Sequence, residues 1–180
     1  MRLRTAVLIL VTIGAITAPA LALGPADSFR RSIRLFTRTP PASFESDEQA
    51  TSWYRSFSVD RVRRGEDGTW TLDAVVFLAE PLHDFEVQLM FYDVSDGPRR
   101  FIRTTAAMVG NRDARVVKKH LVLRHPEFNP QRYYEIVATR QRREVTRPMR
   151  FWLGGVVDRG PQNVTFSEEE AGGGPPSLEF

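Results

Sequence analysis

From Trp53 to Val157 the chain breaks into seven short runs of strand character, each closed by turn residues. They span 53–62, 69–79, 85–94, 99–109, 115–124, 132–140 and 149–157. Clusters such as Arg63-Arg64-Gly65-Glu66-Asp67-Gly68 and Ser95-Asp96-Gly97-Pro98 separate them. Gly, Pro, Asn and Asp punctuate a chain because each supplies or tolerates a turn conformation. No stretch of this region keeps a period of 3.6. Short strands with turns every ~8–12 residues are the pattern of an all-β sandwich or barrel. The apolar content of 42% is enough to fill a core.

Two runs carry apolar residues on both faces. In the second, Trp70, Leu72, Ala74, Val76 and Leu78 alternate with a central Val75 and Phe77. That is the composition of a strand buried on two sides. In the third, Phe85, Val87, Leu89 and Phe91 form the expected core face, and Met90, Tyr92 and Val94 point the other way. The second stripe needs a cover. The expectation is Phe29, Ile33 and Phe36 from upstream, or Val164 and Phe166 from downstream. Left bare, it becomes the best partner site on the molecule.

Phe128, Pro130, Tyr134, Ile136 and Ala138 give F-x-P-x-x-x-Y-x-I-x-A ahead of and within the sixth run. This resembles the corner that leads into the sixth strand of fibronectin type III and other immunoglobulin-like domains. The resemblance covers roughly residues 53 to 157 and is one of fold. It implies a seven-stranded antiparallel sandwich in which the Tyr134 hydroxyl bonds back to the backbone and pins the crossing between the sheets. Trp70 would be the core indole. The cysteine pair of antibody domains is absent.

The first 22 residues read as a secretory signal. Arg2 and Arg4 are followed by an apolar run from Ala6 to Thr17, with Ala20-Leu21-Ala22 as the cleavage pattern. An uncleaved anchor is the alternative. The formal net charge is +3, two of it from Arg2 and Arg4, so the remainder is nearly neutral. Residues 23–50 read as a leader, 51–166 as the sandwich, and 167–180 as a disordered acidic tail rich in Gly and Pro. Within the leader, Phe29, Ile33 and Phe36 have helical spacing among Arg30, Arg31, Arg34 and Arg38. One reading is a basic amphipathic helix giving peripheral membrane contact through residues 29–38. The other is a solvated or loosely docked segment, since one short helix is marginal alone.

The absence of cysteine excludes disulfides, thiolate zinc sites and cysteine nucleophiles. His83 and His125 belong to loops expected at opposite ends of a sandwich, and His120 to the middle of a strand. No HExxH, calcium loop, G-x-S-x-G or phosphate-cradling loop is present. Gly154-Gly155 is expected inside the last strand as a bulge or twist point. Neither a cofactor nor a metal is expected, and no catalytic set converges. What remains is basic loops: Arg140, Arg142, Arg143 and Arg147 should share one end with Arg112 and Arg115, near His83. Such a rim suits carboxylate or phosphate groups, or simply solubilises the loops. Nucleic acid is not expected, because the aromatics are in strand phase rather than interleaved with arginine.

The resulting expectation is an exported, non-enzymatic module, periplasmic or extracellular in a bacterium. It would bind a protein or an anionic envelope component within a larger assembly. Two alternatives stand beside it: an assembly factor acting by strand addition, and a hydrolase or metal enzyme.

Overall fold

The computed structural model describes residues 24 to 155 of the 180. The expected signal, the tail, and Val164 and Phe166 lie outside the described residues. The described chain is mainly β, in two sheets.

The smaller sheet is built on β3 (Trp70–Phe77). It is flanked by β1 (Ser32–Phe36) and β6 (Val116–Leu123), both antiparallel to it. The larger sheet runs β2 (Arg61–Val62), β9 (Met149–Leu153), β7 (Arg132–Arg140), β4 (Glu86–Asp93), β5 (Arg100–Met108). A short β8 (Arg143–Glu144) also pairs with β7. Every pairing is antiparallel except β2 with β9. Alternation places Trp70, Leu72, Ala74 and Val76 between the sheets, against a core that includes Val87, Leu89, Phe91, Tyr134, Ile136 and Ala138.

Two polar anchors fix this core. The Trp70 Nε1–H donates to the Gly154 carbonyl at 2.9 Å, so the largest core side chain buries no unpaired donor. A Cβ at Gly154 would meet the Trp152 ring at 3.0 Å, which explains glycine there. The Tyr134 hydroxyl accepts from the Asn129 N–H at 2.7 Å, and its ring packs against Phe128 and Phe151. The corner expected at Pro130 and Tyr134 therefore has the expected hydrogen bond.

The N-terminal part differs from expectation. Residues 29–38 do not form a helix. A single turn, α1 (Pro25–Ser28), precedes β1, and Arg31 makes the bend between them at φ 57°. The spacing of Phe29, Ile33 and Phe36 imitates a helix because β1 is apolar on both faces. Ile33 and Leu35 enter the inter-sheet core, while Phe36 and Phe29 join a second cluster on the other side.

The first expected strand, 53–62, is instead helix α2 (Asp47–Phe57) followed by the two-residue β2. Ser46 caps it by accepting from the Gln49 N–H at 3.1 Å, and Gln49 reaches back to the Glu45 N–H at 2.8 Å. This is the reciprocal arrangement of a capping box, shifted by one residue. Ala50 and Tyr54 then pack on the outer face of the smaller sheet. Tyr54 lies 5.1 Å from Phe77 and 5.7 Å from Phe36. The last strand ends at Leu153, so Gly154 and Gly155 follow it rather than bulge within it.

Tyr134→Phe should lower stability by about 1–3 kcal/mol, because the half-buried Asn129 amide loses its partner. Urea unfolding would show it as a lower midpoint at unchanged slope.

Candidate binding surface

The two sheets have differently treated outer faces. Over the smaller one lie α2 and the aromatic cluster of Phe29, Phe36, Phe44, Trp53, Tyr54 and Phe77. Over the larger one, no helix or strand among the described residues is packed.

Alternation and register place Met90 and Tyr92 of β4 on that open face. Phe101, Thr104, Ala106 and Met108 of β5 stand beside them, with Tyr133 and Glu135 of β7 on the other side. A bulge keeps both halves of β5 in phase: Tyr92 opposes Phe101 but Phe91 opposes Arg103, so Ile102 is the extra residue.

The upstream residues expected to cover Met90 and Tyr92 do not do so, and Val164 and Phe166 lie outside the described residues. Phe29, Ile33 and Phe36 pack on the smaller sheet instead. The Arg99 guanidinium sits 5.5 Å from the Tyr92 ring centroid and is held by Glu135 at 2.7 Å and Glu144 at 3.5 Å. The Phe101 ring meets Tyr92 edge-on at 5.9 Å, and the Tyr92 hydroxyl donates to the Met90 sulfur at 3.7 Å. Met90 and Tyr92 are thus half-buried, and Val94 is buried. Phe85, expected in the core, is 52% exposed because β4 starts after it. Around the pair, Phe101 is 53% exposed, Met108 65% and Tyr133 41%. Arg150 lies 4.5 Å over the Tyr133 ring, a second guanidinium stacked on an aromatic face.

The arginine loops do meet at one end, but three of the guanidinium groups are spent on backbone. Arg115 bonds the Ala79 carbonyl at 3.2 Å, Arg140 the Leu82 carbonyl at 2.5 Å, and Arg112 the His83 carbonyl at 3.1 Å. Together they clamp the connection between β3 and β4. Arg115 also pairs with Asp27 at 2.5 Å, and Arg112 stacks 5.5 Å from the Phe85 ring. Arg142 is at the tip of the β7–β8 turn, where Gln141 and Arg142 have φ 49° and 67°. Arg142, Arg143 and Arg147 are exposed. A cleft of about 280 Å³ opens beside the clamp, lined by Arg30, Arg31 and Arg140 but also by Glu80 and Glu144.

Sequence reasoning missed three polar features. Asp73 and His120 oppose each other across β3 and β6 and are 2.9 Å apart. His83 and Asp113, both exposed, approach to 3.7 Å. The third is Asp93, 3% exposed at the end of β4. It accepts from the Ser95 N–H at 3.0 Å, Arg132 at 2.9 Å and Arg100 at 3.1 Å. Arg132 in turn bonds Asp96. Burial alone would push the Asp93 carboxyl up, but the Ser95 amide and the Arg132 guanidinium outweigh it and hold it below the ordinary carboxylate range. The Arg132 guanidinium is shifted upward, mainly by Asp96 and Asp93. The usable signal was Asp93-x-Ser95, an Asx-type turn facing Arg132 across the sheet.

The chain matches no family model, and no curated protein is similar to it. What the fold defines is a class: a two-sheet, mainly antiparallel β domain in which, among the described residues, a helical layer covers one side.

Because its folded-state pKa is depressed, Asp93 stabilises the fold above the ordinary aspartate value, and that contribution is lost as pH falls through the lower folded value. Wild type should therefore lose stability more steeply than Asp93→Asn below about pH 4. Equal slopes in urea titrations across that window would show that Asp93 is not the group responsible.

Proposed function

We propose that the protein is an exported, non-enzymatic binding module of immunoglobulin-like topology, whose protein partner docks on the outer face of the larger sheet as part of a larger assembly. Export rests on the signal pattern of residues 1–22. No helix among the described residues is long and apolar enough to cross a membrane.

The topology reading is supported by the strand order. The chain starts on the edge of one sheet as β1 and switches to the other as β2, parallel to the last strand. It returns to the smaller sheet as β3, crosses to the larger for β4 and β5, goes back as β6 and crosses again for β7 to β9, with a tyrosine corner before β7. The non-enzymatic reading is supported by how the polar side chains are committed. Asp93 serves Arg132 and Arg100, His120 meets Asp73, and the clamp arginines serve carbonyl groups.

One observation carries the binding reading: the chain covers the outer face of the smaller sheet with Phe29, Phe44, Trp53 and Tyr54 yet leaves Phe101, Met108 and Tyr133 exposed on the larger. Aromatic residues and arginine are the residues that dominate protein interfaces. The exposed Arg142, Arg143 and Arg147 favour acidic groups on whatever approaches that end. A second reading, assembly by strand addition, is supported by the outer side of β5, which no strand among the described residues pairs.

Capture of a partner from cell-envelope extract should fall at least about tenfold for Phe101→Ser combined with Tyr133→Ser. The melting temperature of that variant should stay close to wild type, as both side chains are exposed. Undiminished capture of the same partner would overturn this assignment of the surface.

A further inference from the structure

The two sheets have four edges, and three are blunted. The outer side of β1 is met at both ends: the Val59 N–H bonds the Leu35 carbonyl at 2.8 Å, and the Arg147 N–H bonds the Arg31 carbonyl at 2.8 Å. The edge strand β2 is two residues long. The edge strand β6 carries Lys118 and Lys119 at its centre, the only lysines in the chain. Short strands and central lysines are the usual devices against edge pairing.

The fourth edge, β5, is nine residues long, and nothing among the described residues pairs with its outer side. The bulge at Ile102 disturbs its first half. From Thr104 to Met108 it is regular and contains no charge, proline or glycine. The phase of its hydrogen bonds is fixed, because the Val109 N–H bonds the Phe85 carbonyl at 2.9 Å. Thr105 and Ala107 therefore direct their backbone groups to β4, and Thr104, Ala106 and Met108 direct theirs outward.

We propose that β5 pairs antiparallel with β5 of a second copy, on a two-fold axis through Ala106. Thr104 then opposes Met108, Thr105 opposes Ala107, and Ala106 opposes its own equivalent. This register matches faces throughout: Thr104, Ala106 and Met108 share the outer face, and Thr105 and Ala107 the inner one. It sets uncharged residues against uncharged residues. It also sends Arg100 and Arg103 of the two copies to opposite ends of the pairing, where each already has an acid of its own chain, Asp93 and Glu127. A second copy fits better than an unrelated strand because the segment is complementary to itself, and among the registers that pair outward-facing backbone groups the one centred on Ala106 uses the whole charge-free run from Thr104 to Met108.

The test is sedimentation of the purified protein over a range of concentrations, for wild type, Ala106→Lys and Ala106→Glu. Wild type should form a reversible dimer. Each variant places like charges directly opposite on the axis and should weaken the dimer at least about tenfold, while an equimolar mixture of the two should restore it as a heterodimer. Hydrogen exchange should show amides 104, 106 and 108 gaining protection with concentration, and 105 and 107 protected throughout. A wild type that stays monomeric overturns the proposal, whether those amides are open, shielded by the chain's own segments or taken by an added extended peptide. A dimer indifferent to both charges, or one not restored on mixing, overturns it equally.

Discussion

The architecture depends on one constraint: β3 is apolar on both faces. Trp70, Leu72, Ala74 and Val76 require one cover, and Val75 and Phe77 require another. A strand flanked only by β1 and β6 cannot supply either, so the small sheet must be enclosed between two further layers. The larger sheet is one layer. The other is α2, and burying aromatic rings of that size contributes on the order of 2–3 kcal/mol each. Phe29, Phe44 and α2 are therefore required by the strand whose outer face they cover.

The larger sheet has no comparable demand on its second face. Its inward side chains alternate with a face that is polar apart from one short apolar stripe, so one layer suffices. Among the described residues its surplus apolar stripe is covered by charge. Arg99 lays its planar guanidinium on Tyr92 while Glu135 holds it there. The same economy appears at the loop end, where Arg112, Arg115 and Arg140 satisfy carbonyl groups that no strand reaches. An ammonium could neutralise charge in these places, but it lacks the planar fork that stacks and bonds at once.

Strands β3 to β7 were legible because period-2 alternation and turn clusters coincide there. The run 132–140 agrees with β7 at both ends, and Tyr134 was identified with its backbone bond. The N-terminal third was misread for a specific reason. Trp53, Phe57 and Val59 fit a strand of period 2, yet Ala50, Trp53, Tyr54 and Phe57 fit a helix equally well. The tie is broken by Ser46-x-x-Gln49, a helix-start signature. At the candidate surface, the meeting of the arginine loops followed from strand direction alone. That Arg112, Arg115 and Arg140 would be consumed by carbonyl groups did not, because it depends on which loop atoms lack partners once the chain has folded. The cover on Tyr92 was missed for the same reason. Arg99 lies seven residues downstream, beyond a turn, and pairs with a strand far along the chain.

The exposed face and the bare edge bear on each other through geometry. A two-fold axis at Ala106 that matches faces runs perpendicular to the sheet, so the outer faces of both copies look the same way. Two patches built from Phe101, Met108 and Tyr133 would then lie on one continuous surface, with the Met108 side chains near its centre. A partner with a single site gains nothing from this beyond a larger contact area. A partner that is itself repeated, or fixed in an envelope, gains the effective concentration of a second site without any new contact. On the proposed reading, dimerisation through a segment of only five residues can therefore be weak in isolation and still determine how firmly a proposed binding module is held where its partner is dense.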